Sequence, residues 1–132
     1  MKNIMVTIAR AMDGTFWCQT ETDVFGAQLN GSGASVKEAK ADLMGCLEDA
    51  RADSPSNGDA EVAFSYQYDL QSFFDYFSFL NVSEIARRAE INPSLMRQYV
   101  SGYKRAGEKT YNRLAACISD ISKEMQSASL RG

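Results

Sequence analysis

The sequence contains no histidine, and its three cysteines, Cys18, Cys46 and Cys117, stand far apart without a CxxC pair. Neither a cysteine or histidine metal site nor a cofactor is therefore expected, and the cysteines read as reduced, buried thiols. Long apolar runs are also missing: no window of about eighteen or more apolar residues occurs, so no transmembrane helix is expected. The N-terminal MKNIMVTIAR has one lysine and too short an apolar run for a signal peptide. A cytoplasmic protein without membrane attachment is expected. Basic residues are scarce in the first part of the chain. Residues 1–81 carry 5 Lys or Arg against 12 Asp or Glu, a net of −7, whereas residues 82–132 carry 9 against 5, a net of +4. Such asymmetry predicts two parts with different partners.

What is present is enough for real cores: 45% of the 132 residues are apolar and 11% aromatic, which excludes a disordered chain. The stretch Val82–Ser101, VSEIARRAEINPSLMRQYVS, reads as a helix-turn-helix. Ile85, Ala89, Ile91, Met96 and Tyr99 fall where two short crossed helices need apolar contacts, and Ala86 falls at their closest approach. Asn81 with Glu84 forms a capping box, and Asn92 followed by Pro93 is an N-cap with proline at the first helical position. The turn carries Glu90 where glycine is usual, and positive φ at a non-glycine residue costs about 1 kcal/mol.

The helix Pro93–Ser101 alternates an inward set, Met96, Tyr99 and Val100, with an outward set, Ser94, Leu95, Arg97, Gln98 and Ser101. Arg97 and Gln98 are the base-reading candidates, because Arg pairs bidentately with guanine and Gln with adenine in the major groove. Ser94 is placed to reach a phosphate or a base edge, and Ser101 lies on the same face. Arg87 and Arg88, with Lys104 and Arg105 beyond the helix, are expected to hold phosphates without reading sequence. Gly102 and Gly107 bracket that basic loop. From Glu108 to about Ser127 a long helix carries Tyr111, Leu114, Ala115, Ile118, Ile121 and Met125 along one stripe. The second half of that stripe is offered as a contact between copies, giving a homodimer or higher assembly with recognition helices about 34 Å apart.

Before this region, Lys2–Ala9 alternates as a half-buried strand, Asp13-Gly14 signals a hairpin, and Thr15–Thr20 pairs with the first strand. A third strand is expected at Phe25–Leu29, followed by a loop through Asn30, Gly31 and Gly33. Ser35–Ala52 is a helix capped by Ser35 with Glu38; its apolar face is Val36, Ala39, Leu43, Cys46, Leu47 and Ala50, and its solvated face Lys37, Lys40, Asp42, Glu48, Asp49 and Arg51. Asp53–Asp59 reads as a loop and Glu61–Tyr68 as a fourth strand. The fold class is α+β: a ββ(β)αβ antiparallel sheet with one helix over residues 1–69, then an all-helical domain over 70–132 that opens with the aromatic run Ser72–Leu80 as core.

The ββ(β)αβ order, the segment GSGASVKEA (Gly31–Ala39) and an attached helix-turn-helix together resemble the HicB antitoxin family. This chain carries Asp23-Val24-Phe25-Gly26-Ala27 where that family has a proline and a glycine-cysteine pair. The resemblance implies a degenerate, truncated ribonuclease H-like first domain without nuclease activity. It implies as partners a small basic HicA-like toxin that cleaves mRNA and the double-stranded DNA of the operator. Catalysis is not expected on the residues either: Asp13, Glu21, Asp23 and Asp69 lie near strand ends, and none sits beside another acid at a strand centre. The rival reading is a stand-alone helix-turn-helix transcription regulator whose first domain senses a ligand or dimerises.

Overall fold

The computed structural model describes residues 2–54 and 60–132. The protein is α+β, with a four-stranded mixed sheet and five helices among the described residues, and divides into two compact units, Met1–Phe77 and Ser78–Gly132. The loop expected at Asp53–Asp59 falls mostly on residues 55–59, outside the described ones.

In the first unit, β1 (Lys2–Arg10) and β2 (Phe16–Thr20) form the expected antiparallel hairpin. Gly14 takes φ +88, and the Asp13 carboxylate accepts the Thr15 amide at 2.9 Å, which lowers its pKa. Ile4, Val6 and Ile8 of β1 are buried with Phe16 and Cys18 of β2 on one face. That face is covered by Val36, Ala39, Leu43 and Leu47 of α1 (Val36–Ala52), whose N-cap Ser35 accepts the Glu38 amide at 3.1 Å.

The third strand is displaced from its expected position. Phe25 and Gly26 have φ of +52 and +88, and Val24 and Ala27 exchange backbone hydrogen bonds, so these residues form a tight two-residue turn. β3 is instead Asn30–Gly33, the segment expected as a loop, paired antiparallel with β2. Glycine makes this possible, because β3 runs against the backbone of α1. A Cβ on Gly31 would lie 2.4 Å from the Ala39 carbonyl oxygen and 2.5 Å from the Leu43 nitrogen.

β4 (Val62–Tyr68) joins the other side of β1, giving the order β3-β2-β1-β4. It runs parallel to β1, Ile4 opposite Phe64 and Ile8 opposite Tyr68, which corrects the expectation of an antiparallel sheet. The cause is the intervening helix: a strand reached through a helical crossover returns in the same direction.

The aromatic run as far as Phe77 also belongs to this unit, and only its last residues, Ser78–Leu80, fall in the second, so the division lies eight residues beyond the expected one. α2 (Leu70–Tyr76) is capped by Asp69, which accepts the Ser72 amide at 2.8 Å. Its Asp75 carboxylate accepts the Val36 amide at the start of α1 at 2.9 Å, tying the two helices together. Phe73 and Phe77 meet the Tyr68 ring at 5.7 and 5.9 Å between centroids. Lys40, expected on a solvated face, donates to the Tyr68 hydroxyl at 2.7 Å and lies 3.5 Å above the Tyr76 ring and 4.0 Å above that of Tyr66. Desolvation pulls its pKa down, and the ring faces and phenol oxygen offset that cost. Lys40→Met keeps the aliphatic stem and removes the charge, so it is expected to lower unfolding free energy by about 1–2 kcal/mol. A denaturation midpoint equal to the wild type would rule this account out.

Cys18 is fully buried, and desolvation pushes its thiol up to about 11; Tyr68 is pushed up to about 12 by the same cause. Both folded-state values lie above the ordinary ones, so each contribution to stability is complete below the ordinary pKa and is lost as pH rises through the folded one. The first unit is therefore expected to lose stability between pH 9 and 12. At neutral pH the half-buried Cys46 should react with a thiol reagent well before Cys18 and Cys117, which are buried and have raised pKa values. Equal rates for all three would contradict the packing described.

In the second unit, α3 (Val82–Arg88) and α4 (Pro93–Ser101) are joined by residues 89–92, and α5 (Glu108–Gln126) supports them. Ile85, Ala86, Ala89, Ile91 and Met96 are buried with Leu114 and Cys117 of α5. Tyr99 is only half-buried, and Tyr111, Ala115 and Met125 of the expected α5 stripe are exposed. Among the described residues, no helix is long and apolar enough to cross a membrane.

Candidate nucleic-acid interface

α4 is defined at both ends by its own sequence. The Asn92 side chain accepts the amides of Ser94 and Leu95 at 2.9 and 3.2 Å, Pro93 fills the first turn, and Gly102 closes the helix at φ +85. Asn81 caps α3 by accepting the Glu84 amide at 3.1 Å. The Glu84 carboxylate pairs with Arg87 instead of completing the capping box. Glu90 takes φ +60, so the turn keeps its left-handed residue without glycine. The Ile91 amide donates to the Ala86 carbonyl at 2.8 Å, and the Arg113 guanidinium donates to the Glu90 carbonyl at 3.3 Å, anchoring that turn on both sides.

The fully exposed positions of α4 are Ser94, Arg97 and Ser101, at spacings of three and four, which places them on one stripe. Arg97 is held at both nitrogens: one donates to the Ser94 hydroxyl at 3.2 Å, the other to the Ser83 hydroxyl on α3 at 3.2 Å. Ser94 thus steadies Arg97, and Ser83, a residue the sequence did not single out, joins it. The signal for Ser83 lay in the crossing of the helices, since fourteen residues separate it from Arg97.

Gln98 departs from its expected place. It is half-buried, and its side-chain oxygen is enclosed without a hydrogen-bond partner, so the amide is turned partly inward from the Ser94–Arg97–Ser101 stripe. Arg88 is exposed but engaged by Glu124 of α5, and Arg87 by Glu84. Lys104 and Arg105 are exposed in the loop after α4, with the Lys104 amide donating to the Gln98 carbonyl at 3.1 Å. Tyr103 beside them is 80% exposed. The structure therefore brings together Ser94, Arg97 and Ser101, with Lys104 and Arg105 beyond the helix end, and turns Arg88 toward α5.

No family model, curated protein or solved structure matches the chain.

In the first unit three of the four acids singled out by sequence are engaged by hydrogen bonds, Asp13 with the Thr15 amide among them. Glu21 accepts from the Thr7 hydroxyl at 3.1 Å, and Asp69 accepts the amides of Arg10 and Ser72. Among the described residues no three His, Cys, Asp or Glu side chains converge as a metal site. On the sheet face opposite α1, Met5, Thr7, Ala9, Trp17 and Gln19 are all exposed, Ala9 opposite Trp17. Trp17, the single tryptophan, is 48% exposed, in a unit whose net charge is −7.

Proposed function

We propose that the chain is a two-domain, DNA-binding antitoxin of the HicB type. Its second unit binds the operator of its own operon as a helix-turn-helix, and its acidic first unit, a degenerate ribonuclease H-like domain, covers a small basic toxin. The protein acts by surface complementarity and is not an enzyme. The observation that carries this reading is Arg97, exposed on a helix started by Asn92-Pro93 and braced by hydroxyls from both α3 and α4. A guanidinium fixed in this way presents its fork of donors to a guanine edge without first losing its rotamer freedom.

Three further features support the reading. The net charge of +4 over residues 82–132 suits a phosphate backbone. The ββ(β)αβ order with one helix across the sheet agrees with the family resemblance. The sheet face opposite α1, with Trp17 and Met5 exposed, offers an aromatic anchor in acidic surroundings, the complement of a basic protein. On α5, Ile121 lines an open groove with Leu80 and Ile85 and is the site proposed for a homodimer contact.

The decisive experiment uses the full chain. It should shift the DNA of its own promoter, and its co-expression should relieve growth arrest caused by a small basic protein encoded beside it. Promoter binding without any such toxic neighbour would leave the stand-alone regulator. Failure to bind the promoter would refute the operator role.

A further inference from the structure

The two edges of the sheet are treated differently. The β3 edge is short, carries two glycines, and is closed by carboxylates of α1: Asp42 accepts the Ser32 amide and Glu38 the Ala34 amide, both at 2.9 Å. The β4 edge has no such guard. Its seven residues, VAFSYQY, contain no charge, no proline and no glycine. In the parallel register with β1, the backbone groups of Ala63, Ser65 and Gln67 face β1, so those of Val62, Phe64, Tyr66 and Tyr68 face outward. Among the described residues no strand or loop pairs with that outer edge. Proteins usually blunt a long edge with charges, proline or a bulge, and an edge left bare is a site for pairing.

We propose that β4 pairs antiparallel with β4 of a second copy of this chain, about a two-fold axis through Ser65, joining two sheets into one of eight strands. The occupant follows from the strand itself. Centring on Ser65 places Val62 opposite Tyr68 and Phe64 opposite Tyr66, so all four outward-facing residues find a partner; centring on Phe64 would leave Tyr68 without one. No charged residue lies within either strand, and Glu61, the next residue out, comes opposite the partner's Asp69, whose carboxylate is turned to its own Arg10 and Ser72 amides. On the α1 side, Phe64 comes to lie beside the partner's Tyr66, which extends the ring layer already running from Phe64 through Tyr66 and Tyr68 to Phe73. Lys40 and Arg51 reach this region from α1, at the Tyr66 ring and at the Ala60 carbonyl, and offset part of the unit's acidic charge there. This contact is separate from the one proposed on α5 and does not depend on DNA or toxin binding.

The axis makes the test specific. Directly opposed residues at a non-hydrogen-bonded antiparallel position have Cβ atoms about 4.5–5.5 Å apart, at the upper limit of what a disulfide spans after a small adjustment. Ser65 is on the sheet face opposite α1, where its hydroxyl donates to the exposed Asn3 side chain at 3.0 Å, so Ser65→Cys leaves the core intact. Full-length Ser65→Cys, oxidised at micromolar concentration, should form a covalent dimer on the order of tenfold faster than Ala63→Cys, because residue 63 faces the partner's Gln67 and not its own counterpart. Mixing Ala63→Cys with Gln67→Cys should restore cross-linking. Equal rates for Ser65→Cys and Ala63→Cys, or no covalent dimer beyond the wild-type background, would overturn the proposal. Cross-linking of Ser65→Cys to a different protein in preference to itself would overturn it as well.

Discussion

Gly31→Ala should unfold the first unit at a temperature roughly 10–20 °C below the wild type, given a cost of about 3 kcal/mol and the usual shift per kcal/mol for a domain of this size. The added methyl would meet the Ala39 carbonyl oxygen at 2.4 Å, the Leu43 nitrogen at 2.5 Å and the Leu43 Cα at 2.9 Å. All three are helix backbone, so no side chain can swing aside to make room. Relief requires β3 to leave β2 or α1 to lift from the sheet, and α1 carries the fully buried Val36, Ala39 and Leu43. Gly45 supplies the control. It is in the interior of the same helix with open space at its Cβ, so Gly45→Ala should stabilise the unit by about 0.5–1 kcal/mol through helix propensity alone. Thermal unfolding followed by circular dichroism on both variants separates the two effects. A Gly31→Ala protein melting with the wild type would mean that β3 does not lie on α1 as described.

These glycines also show where sequence reading stops. Alternation located β1 and β4, because Ile4, Val6 and Ile8 face a core and their neighbours face solvent, and the Asp13-Gly14 turn located β2. Caps located α1, α3 and α4, because Ser35, Asn81 and Asn92 each act within three residues of themselves. What stayed hidden depends on distant partners. Asn30–Gly33 has the composition of a loop and becomes a strand only because α1 passes so close to it. The aromatic run after Asp69 looked like the opening of the helical domain, and it packs instead on Tyr68, a residue of the preceding strand. Lys40 has the spacing of a solvated position, and nothing local indicates that three tyrosine rings surround it. At the proposed interface the same division holds: spacing identified Ser94, Arg97 and Ser101 on one face, whereas the inward turn of Gln98 and the reach of Ser83 to Arg97 come from tertiary packing.

Arg97→Ala should weaken binding to the preferred operator by about 1–3 kcal/mol, a loss of roughly five- to 150-fold, and should relax preference at one base pair. Arg97→Lys should recover little of this, since a lysine supplies charge but not the two parallel donors that guanine accepts. Ser83→Ala is the sharper probe, because it leaves Arg97 in place and removes one of its two braces. Freeing a long side chain that must be ordered again on binding costs about 0.5–1.5 kcal/mol, so Ser83→Ala should reduce affinity several-fold and blunt the same base preference. Lys104→Ala should behave in another way, weakening every sequence alike and lowering the salt dependence by about one unit of slope. Arg88→Ala should have a smaller effect of this second kind, since the guanidinium must first leave Glu124. Binding curves over a panel of single-base operator variants, at two salt concentrations, distinguish the two patterns. A Ser83→Ala profile that tracks Lys104→Ala, uniform across the panel, would remove Arg97 from base reading and leave it as one more phosphate contact.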